Sequence, residues 1–260
     1  METKEMRINN LNVKIHFLFL KRELKNLKSY FEIMGFKDES DFNNLLKKLV
    51  FFRDFDISRE LIDRIIKNIN SVFNLCSSVL QDEEINLFFF ETKDFFVSNK
   101  MGGSTGFCTN KNCILVLLNL ETFSDTGLKN TVVHELAHAM SPYYDMSDMS
   151  VGQGIVFEGI AENFRESLVD KIKSSFVLEV KEEEVWPLFN KIKFDLNSKN
   201  LNDYYEVFFG TGKYPLWAGY AIGYYFVKGY ISRIKNFAWK NVLREDPKEI
   251  LKEVVSTSKF

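Results

Sequence analysis

Apolar positions recur every three or four residues through much of the first eighty. Leu20, Leu24, Leu27 and Phe31 are spaced this way, with Lys and Glu between them. Leu61, Ile65, Ile66, Ile69, Val72 and Phe73 line one face of a longer stretch that starts near Asp56-Ile57-Ser58. Such spacing predicts amphipathic helices whose striped faces pack into a core. A further helical stretch, Asp41–Phe52, follows the start signal Ser40-Asp41. Residues 1–82 are therefore expected to form a helical N-terminal region.

After Gln81-Asp82 the texture changes. Ile85–Glu91 and Phe95–Ser98 are short, Phe-rich and bounded by polar residues, as strands are. The glycine-rich Lys100–Gly106 lacks the lysine of a phosphate-binding loop and opens no helix, so it reads as a hairpin-like connection. Cys113–Asn119 is the clearest strand. A helix runs from Leu128 to Met140 and stops at Ser141-Pro142, because proline cannot extend a helix. Ser141–Gln153 reads as a polar loop, and a second long helix covers about Gly154 to Lys173 with Ile155, Ile160, Phe164 and Leu168. Lys181–Glu184 and Pro187 mark a break, and the last clear helix is Leu216–Ile234. The fold class this predicts is α+β, mostly helical, with a small mixed sheet in a second region, 83–260.

Composition narrows the function classes. With 45% hydrophobic residues and 26 Phe, the chain can bury a large core, which excludes disorder as its main state. The balance of 34 basic and 36 acidic residues argues against a nucleic-acid partner. The longest apolar runs, Phe17–Leu20 and Ile114–Leu118, fall far short of the ~20 residues of a membrane span. Three cysteines (Cys76, Cys108, Cys113) are too few and odd in number for a disulfide scaffold, and no export signal precedes them; both point to the cytoplasm. No sequence feature specifies an oligomeric state.

Chemistry concentrates in the scarcest residue. Of three histidines, two fall in His134-Glu135-Leu136-Ala137-His138, an HExxH motif inside a predicted helix. Residues four apart share a helix face, so two imidazoles can converge on one ion at the ~2.0–2.1 Å that Zn²⁺ requires. Glu135 then stands beside the attacking water and can take its proton. A catalytic zinc takes three protein ligands, and the second long helix offers Glu158 and, one turn later, Glu162, in Glu158-Gly-Ile-Ala-Glu162. Gly159 and Ala161 between them are small enough for two helices to pack closely.

This arrangement resembles the thermolysin-like gluzincins, and more closely the YjaZ-like predicted zinc-dependent proteases. The latter combine HExxH, an EGxAE segment and a later Trp-Ala-Gly-Tyr-type helix. Here these are His134–His138, Glu158–Glu162 and Trp217-Ala-Gly-Tyr-Ala-Ile-Gly-Tyr224, in the same order and within roughly residues 85–240. The resemblance implies a zincin-like catalytic domain whose HExxH helix carries the active site. It also implies Glu158 as the third zinc ligand and Glu162 as the partner of a ligand histidine, His134. Metallopeptidases of this type use Tyr or His to stabilise the oxyanion. No histidine follows His138, so Tyr220 and Tyr224 are the candidates, with Tyr220 placed first. In zincins an edge strand pairs with extended substrate, and either the strand Ile114–Asn119 or the Gly102–Gly106 turn could supply that edge.

The sequence thus predicts a zinc-dependent metallopeptidase acting on a peptide or protein substrate. Its alternative is a catalytically inactive zincin-fold sensor or binding protein, against which an intact Glu135 argues. Other signals carry less. Cys108 and Cys113 are spaced C-x4-C with no second pair to complete a zinc knuckle. His16 lies in an apolar run and reads as a packed core residue, and Asp145 and Asp148 read as loop carboxylates.

Overall fold

A computed structural model describes residues 2–8, 11–36, 40, 49–80 and 84–257. Tertiary contacts divide the chain into two units, Met1–Ala139 and Met140–Phe260. With a five-stranded mixed sheet and many helices, the fold is α+β and mostly helical, as the periodicities predict.

The sheet belongs to the first unit. Its strands are β1 (Glu2–Ile8), β2 (Leu11–Phe17), β3 (Glu84–Glu91), β4 (Ser104–Asn110) and β5 (Cys113–Leu118), in the order β1-β2-β3-β5-β4. β2, β3 and β5 are parallel to one another, and β1 and β4 are antiparallel at the two edges. β5 is buried throughout and β3 everywhere except Glu84, which suits parallel strands covered on both faces. The period of two sorts their side chains. Phe88, Phe90, Leu115 and Leu117 pack with Leu18, Leu27 and Met34 on one face. Leu87, Phe89, Ile114 and Val116 alternate onto the other. Helix α1 (Arg59–Leu75) packs against α3 (Asp125–Ala139), and α3 lies on β4 and β5. A short helix, α2 (Phe95–Lys100), leads into β4.

Several expectations for this unit are corrected. The N-terminal region is not helical throughout: residues 2–8 and 11–17 are strands, and Leu11, Val13, Ile15 and Phe17 are buried in the alternation a strand demands. The Lys21–Tyr30 stripe forms a 3₁₀ helix, and the expected helix α1 is present. Most of the Asp41–Phe52 stretch, 41–48, lies outside the described residues, as does the expected boundary at 82/83. Strands from either side of that boundary share one sheet. Phe95–Ser98 is helical rather than extended, because the Asp94 carboxylate accepts the Val97 N–H at 3.0 Å and caps a first turn. The glycine-rich segment joins α2 to β4, with Gly102 and Gly103 at positive φ, and the hairpin proper is the β4–β5 turn.

Among the described residues the second unit is all helical. Its elements are α4 (Val151–Leu168), α5 (Ser175–Leu178), α6 (Glu182–Ile192), α7 (Leu201–Phe209), α8 (Ala218–Ile231), α9 (Trp239–Val242) and α10 (Pro247–Thr257). α4 starts three residues earlier than the apolar pattern suggests, because Ser150 and Gln153 cap it reciprocally. α6 runs through Pro187 instead of breaking there; three glutamates in its first turn complement the helix dipole. α9 and α10 follow what the sequence presents as the last clear helix. α4, α6, α7 and α10 all pack on α8.

The tightest of these contacts is α4 on α8. A Cβ built on Gly159 would lie 2.1 Å from the Gly223 carbonyl oxygen, and one on Gly223 would lie 2.0 Å from that of Ile155. The Asn163 amide spans the crossing, donating to the carbonyls of Gly159 (2.8 Å) and Tyr224 (2.9 Å).

Candidate metal centre

The motif His134-Glu135-Leu136-Ala137-His138 occupies the last two turns of α3. Ser124 opens this helix by accepting the Gly127 N–H at 2.9 Å, and Arg64 of α1 holds Asp125 of its first turn at 2.6 Å. From Val132 to Ala139 every residue is buried, so the polar motif is enclosed instead of lying on a solvated face. The Nε2 atoms of His134 and His138 face each other at 3.2 Å, with rings inclined at 78°.

Glu158, in the second turn of α4, completes a group of three. The ligand atoms of His134, His138 and Glu158 lie within 4.8 Å of one another, and all three residues are buried. This group could hold a metal ion. Two imidazole nitrogens and a carboxylate oxygen are the donor set of a three-ligand catalytic zinc. Two ligands ~2.0–2.1 Å from a tetrahedral ion stand about 3.3–3.4 Å apart, close to the imidazole spacing found here. The donor set therefore fits the ion.

Glu135 points to the sheet. Its Oε2 accepts the Cys108 N–H at 2.8 Å, and its methylenes run against Gly106 of β4. Of the two segments expected to supply a sheet edge, Ile114–Leu118 is interior, since β5 lies between β3 and β4. β4 is the edge, and the glycine-rich segment runs directly into it.

The remaining candidates all lie in the second unit. Glu162, 1% exposed, pairs with Arg165 three residues on, whose Nη2 donates to its Oε2 at 3.3 Å. Arg165 also donates to Asp170 (3.1 Å) and to the Ile172 carbonyl (2.8 Å). Tyr220 is half-buried, its ring against Phe176 and Phe208. Tyr224 is fully buried, and its hydroxyl accepts from Lys228 Nζ at 2.9 Å. Burial, with the Glu166 carboxylate beside it, pushes the Tyr224 phenol well above its ordinary range. α8 is preceded by Trp217, a buried residue in the left-handed conformation that non-glycine residues rarely adopt.

Sequence reasoning missed three of these partners. Arg165 was accessible through its i,i+3 spacing from Glu162. The Asn163 clamp and the Gly106–Cys108 contact with Glu135 join distant segments and leave no local signature.

A buried His-His-Glu donor set beside an intact HExxH glutamate defines the class: a protein with a group able to bind a metal. Residues 65–252, more than half of the chain, match the family described as Predicted Zn-dependent protease (DUF2268). The chain belongs to this family, in agreement with its resemblance to the YjaZ-like proteases. A search of the curated proteins found no match.

Proposed function

We propose that the protein is a zinc-dependent metallopeptidase with a zincin-like catalytic domain. The observation that carries the reading is the convergence of His134, His138 and Glu158, with Glu135 next to the first ligand, in a chain of this family. His134, His138 and Glu158 would hold Zn²⁺, which when bound polarises a scissile carbonyl and makes water more acidic. Glu135 takes the proton of the attacking water and passes it to the leaving amine. Glu162, anchored by Arg165, orients His134. Tyr220 donates its hydroxyl to the developing oxyanion; Tyr224, already engaged by Lys228 and fully buried, serves the packing of α8. An extended peptide is the substrate class, and the edge strand β4 offers main-chain groups for it. No described helix is long and apolar enough to cross a membrane. The three free, buried cysteines suit a reducing compartment such as the cytoplasm.

Metal analysis of purified protein, with peptide-library cleavage by wild type and Glu135→Gln, tests the reading. Stoichiometric zinc in both proteins and cleavage only by the wild type are expected. Absence of metal would sink the proposal. Metal without cleavage would favour the sensor alternative.

A further inference from the structure

Gly106 sits in the interior of β4, opposite Val116 of β5. Glycine weakens a strand, and where it persists it often marks a close approach by another group. Gly106 is not among the glycines held at positive φ, so backbone conformation does not demand it. Space does. A Cβ there would lie 2.5 Å from Glu135 Cγ, 3.1 Å from Glu135 Cδ and 3.0 Å from Thr131 Cγ2.

These contacts lie on a single face. Thr131 and Glu135 are one turn apart on α3, so both side chains lie over the same part of β4. The Thr131 hydroxyl is hydrogen-bonded to that of Ser104 at 2.9 Å, which pins this helix face to the strand. Two residues beyond Gly106, on the same side of the strand, the Cys108 N–H donates to Glu135 Oε2 at 2.8 Å. The β4–β5 register shifts between Cys108 and Asn110, the kind of irregularity that re-aims backbone groups. A hydrogen bond to a carboxylate is stronger than one between neutral groups, and this one is buried.

We infer that Gly106 is a positioning residue for Glu135: its missing side chain lets the carboxylate reach the Cys108 amide, which fixes the orientation from which Glu135 moves a proton. With Oε2 tied to the backbone, the two oxygens are no longer equivalent, and proton transfer falls to Oε1. The seat itself is a property of the fold. Its catalytic consequence rests on the peptidase reading.

The test separates the two. Gly106→Ala is compared with wild type, and again in a Glu135→Ala background, where Glu135 Cγ and Cδ are absent and Thr131 Cγ2 is the close contact that remains. The melting temperature should fall in the first comparison and clearly less in the second. In protein labelled with ¹⁵N at its three cysteines, the Cys108 amide resonance, identified by its loss in Cys108→Ser, should move with Gly106→Ala and Glu135→Ala while that of Cys76 stays. On a library peptide that the wild type cleaves, Gly106→Ala should lower kcat roughly 10²-fold, the scale of an ångström misplacement, with KM little changed. Equal destabilisation in both backgrounds, or a Cys108 resonance indifferent to Glu135, would overturn the inference. Should the wild type cleave nothing, the peptidase reading fails, and the melting and amide comparisons still decide on the seat.

Discussion

Gly159 and Gly223 meet backbone to backbone where α4 crosses α8, with no room for a methyl group on either. Glu158 immediately precedes this crossing, so the contact fixes the stretch of α4 that carries the third proposed ligand. Gly159→Ala would force the helices apart at a carbonyl, which cannot rotate away as a side chain can. Overpacking typically costs about 1–3 kcal/mol, and a backbone clash belongs at the upper end. Thermal unfolding should show the loss for Gly159→Ala and for Gly223→Ala. Zinc titration should show the larger drop in affinity for Gly159→Ala, the substitution beside Glu158.

Metal should couple to stability. An ion that binds only the folded chain stabilises it by about 2.7 kcal/mol at a hundredfold excess over Kd. Adding a chelator to zinc-loaded protein should therefore lower the melting temperature, and restoring zinc should recover it. His134→Ala, His138→Ala and Glu158→Ala should each abolish the chelator effect, whereas Glu135→Gln should keep it. An effect surviving all three ligand substitutions would place the metal elsewhere.

The two tyrosines of α8 should separate by phenotype. Removing an oxyanion donor costs on the order of 10²–10³ in kcat. Tyr220→Phe is expected to show such a loss with little change in melting. Tyr224→Phe removes a buried hydroxyl bonded to Lys228 and should lower stability while sparing kcat. Steady-state kinetics alongside melting curves distinguishes them, and the reverse pattern would make Tyr224 the donor.

His16 supplies a pH dependence distant from the proposed ligands in the chain. It is 5% exposed, stacked on Phe88 at 4.4 Å, with Nε2 against Asn86 Oδ1 at 3.0 Å and Nδ1 against Thr3 Oγ1 at 3.3 Å. Burial lowers its pKa. In the unfolded chain a histidine takes up its proton near pH 6.5. Between that value and the lower folded one the unfolded state binds more protons, so stability falls as the pH falls through this window. Urea unfolding at several pH values should show a fall for wild type that is reduced in His16→Gln. Identical slopes would exclude the contribution.

The thiols should be silent in the folded protein. Cys76, Cys108 and Cys113 are free and buried, and burial pushes Cys76 and Cys113 to about 12 and Cys108 well above the ordinary thiol value. A thiol reagent should find none in native protein and three after unfolding. Reaction without unfolding would mean that the segment carrying the reactive thiol opens locally.

The metal group was legible in the sequence because its logic is local. Four-residue spacing puts His134 and His138 on one face whatever the rest of the chain does, and a second helix with Glu158 twenty residues on needs only a short connection. What stayed hidden depends on partners far along the chain. β2 is a strand because β3 lies beside it, and β1 because it pairs with β2; the Phe95 helix is the local exception, capped by its neighbour Asp94 within a Phe-rich stretch that reads as extended. Ile114–Leu118 reads as a strand from its composition, but its interior place depends on β4, which carries few strand-forming residues. Gly106 looks like turn punctuation until Glu135 is laid across it.

The parallel pairing of β2 with β3 joins residues about seventy positions apart, from Asn12 with Glu84 to Phe17 with Phe89. Closing so long a loop is entropically costly, so this seam should form late in folding, after local elements such as the β4–β5 hairpin. Until then β3, with Leu87, Phe88, Phe89 and Phe90, is an apolar edge open to other chains. The family match begins at residue 65, beyond both N-terminal strands. A protein trimmed to the matched residues would lose the cover of that edge, and should be recovered as aggregate where the full chain is not.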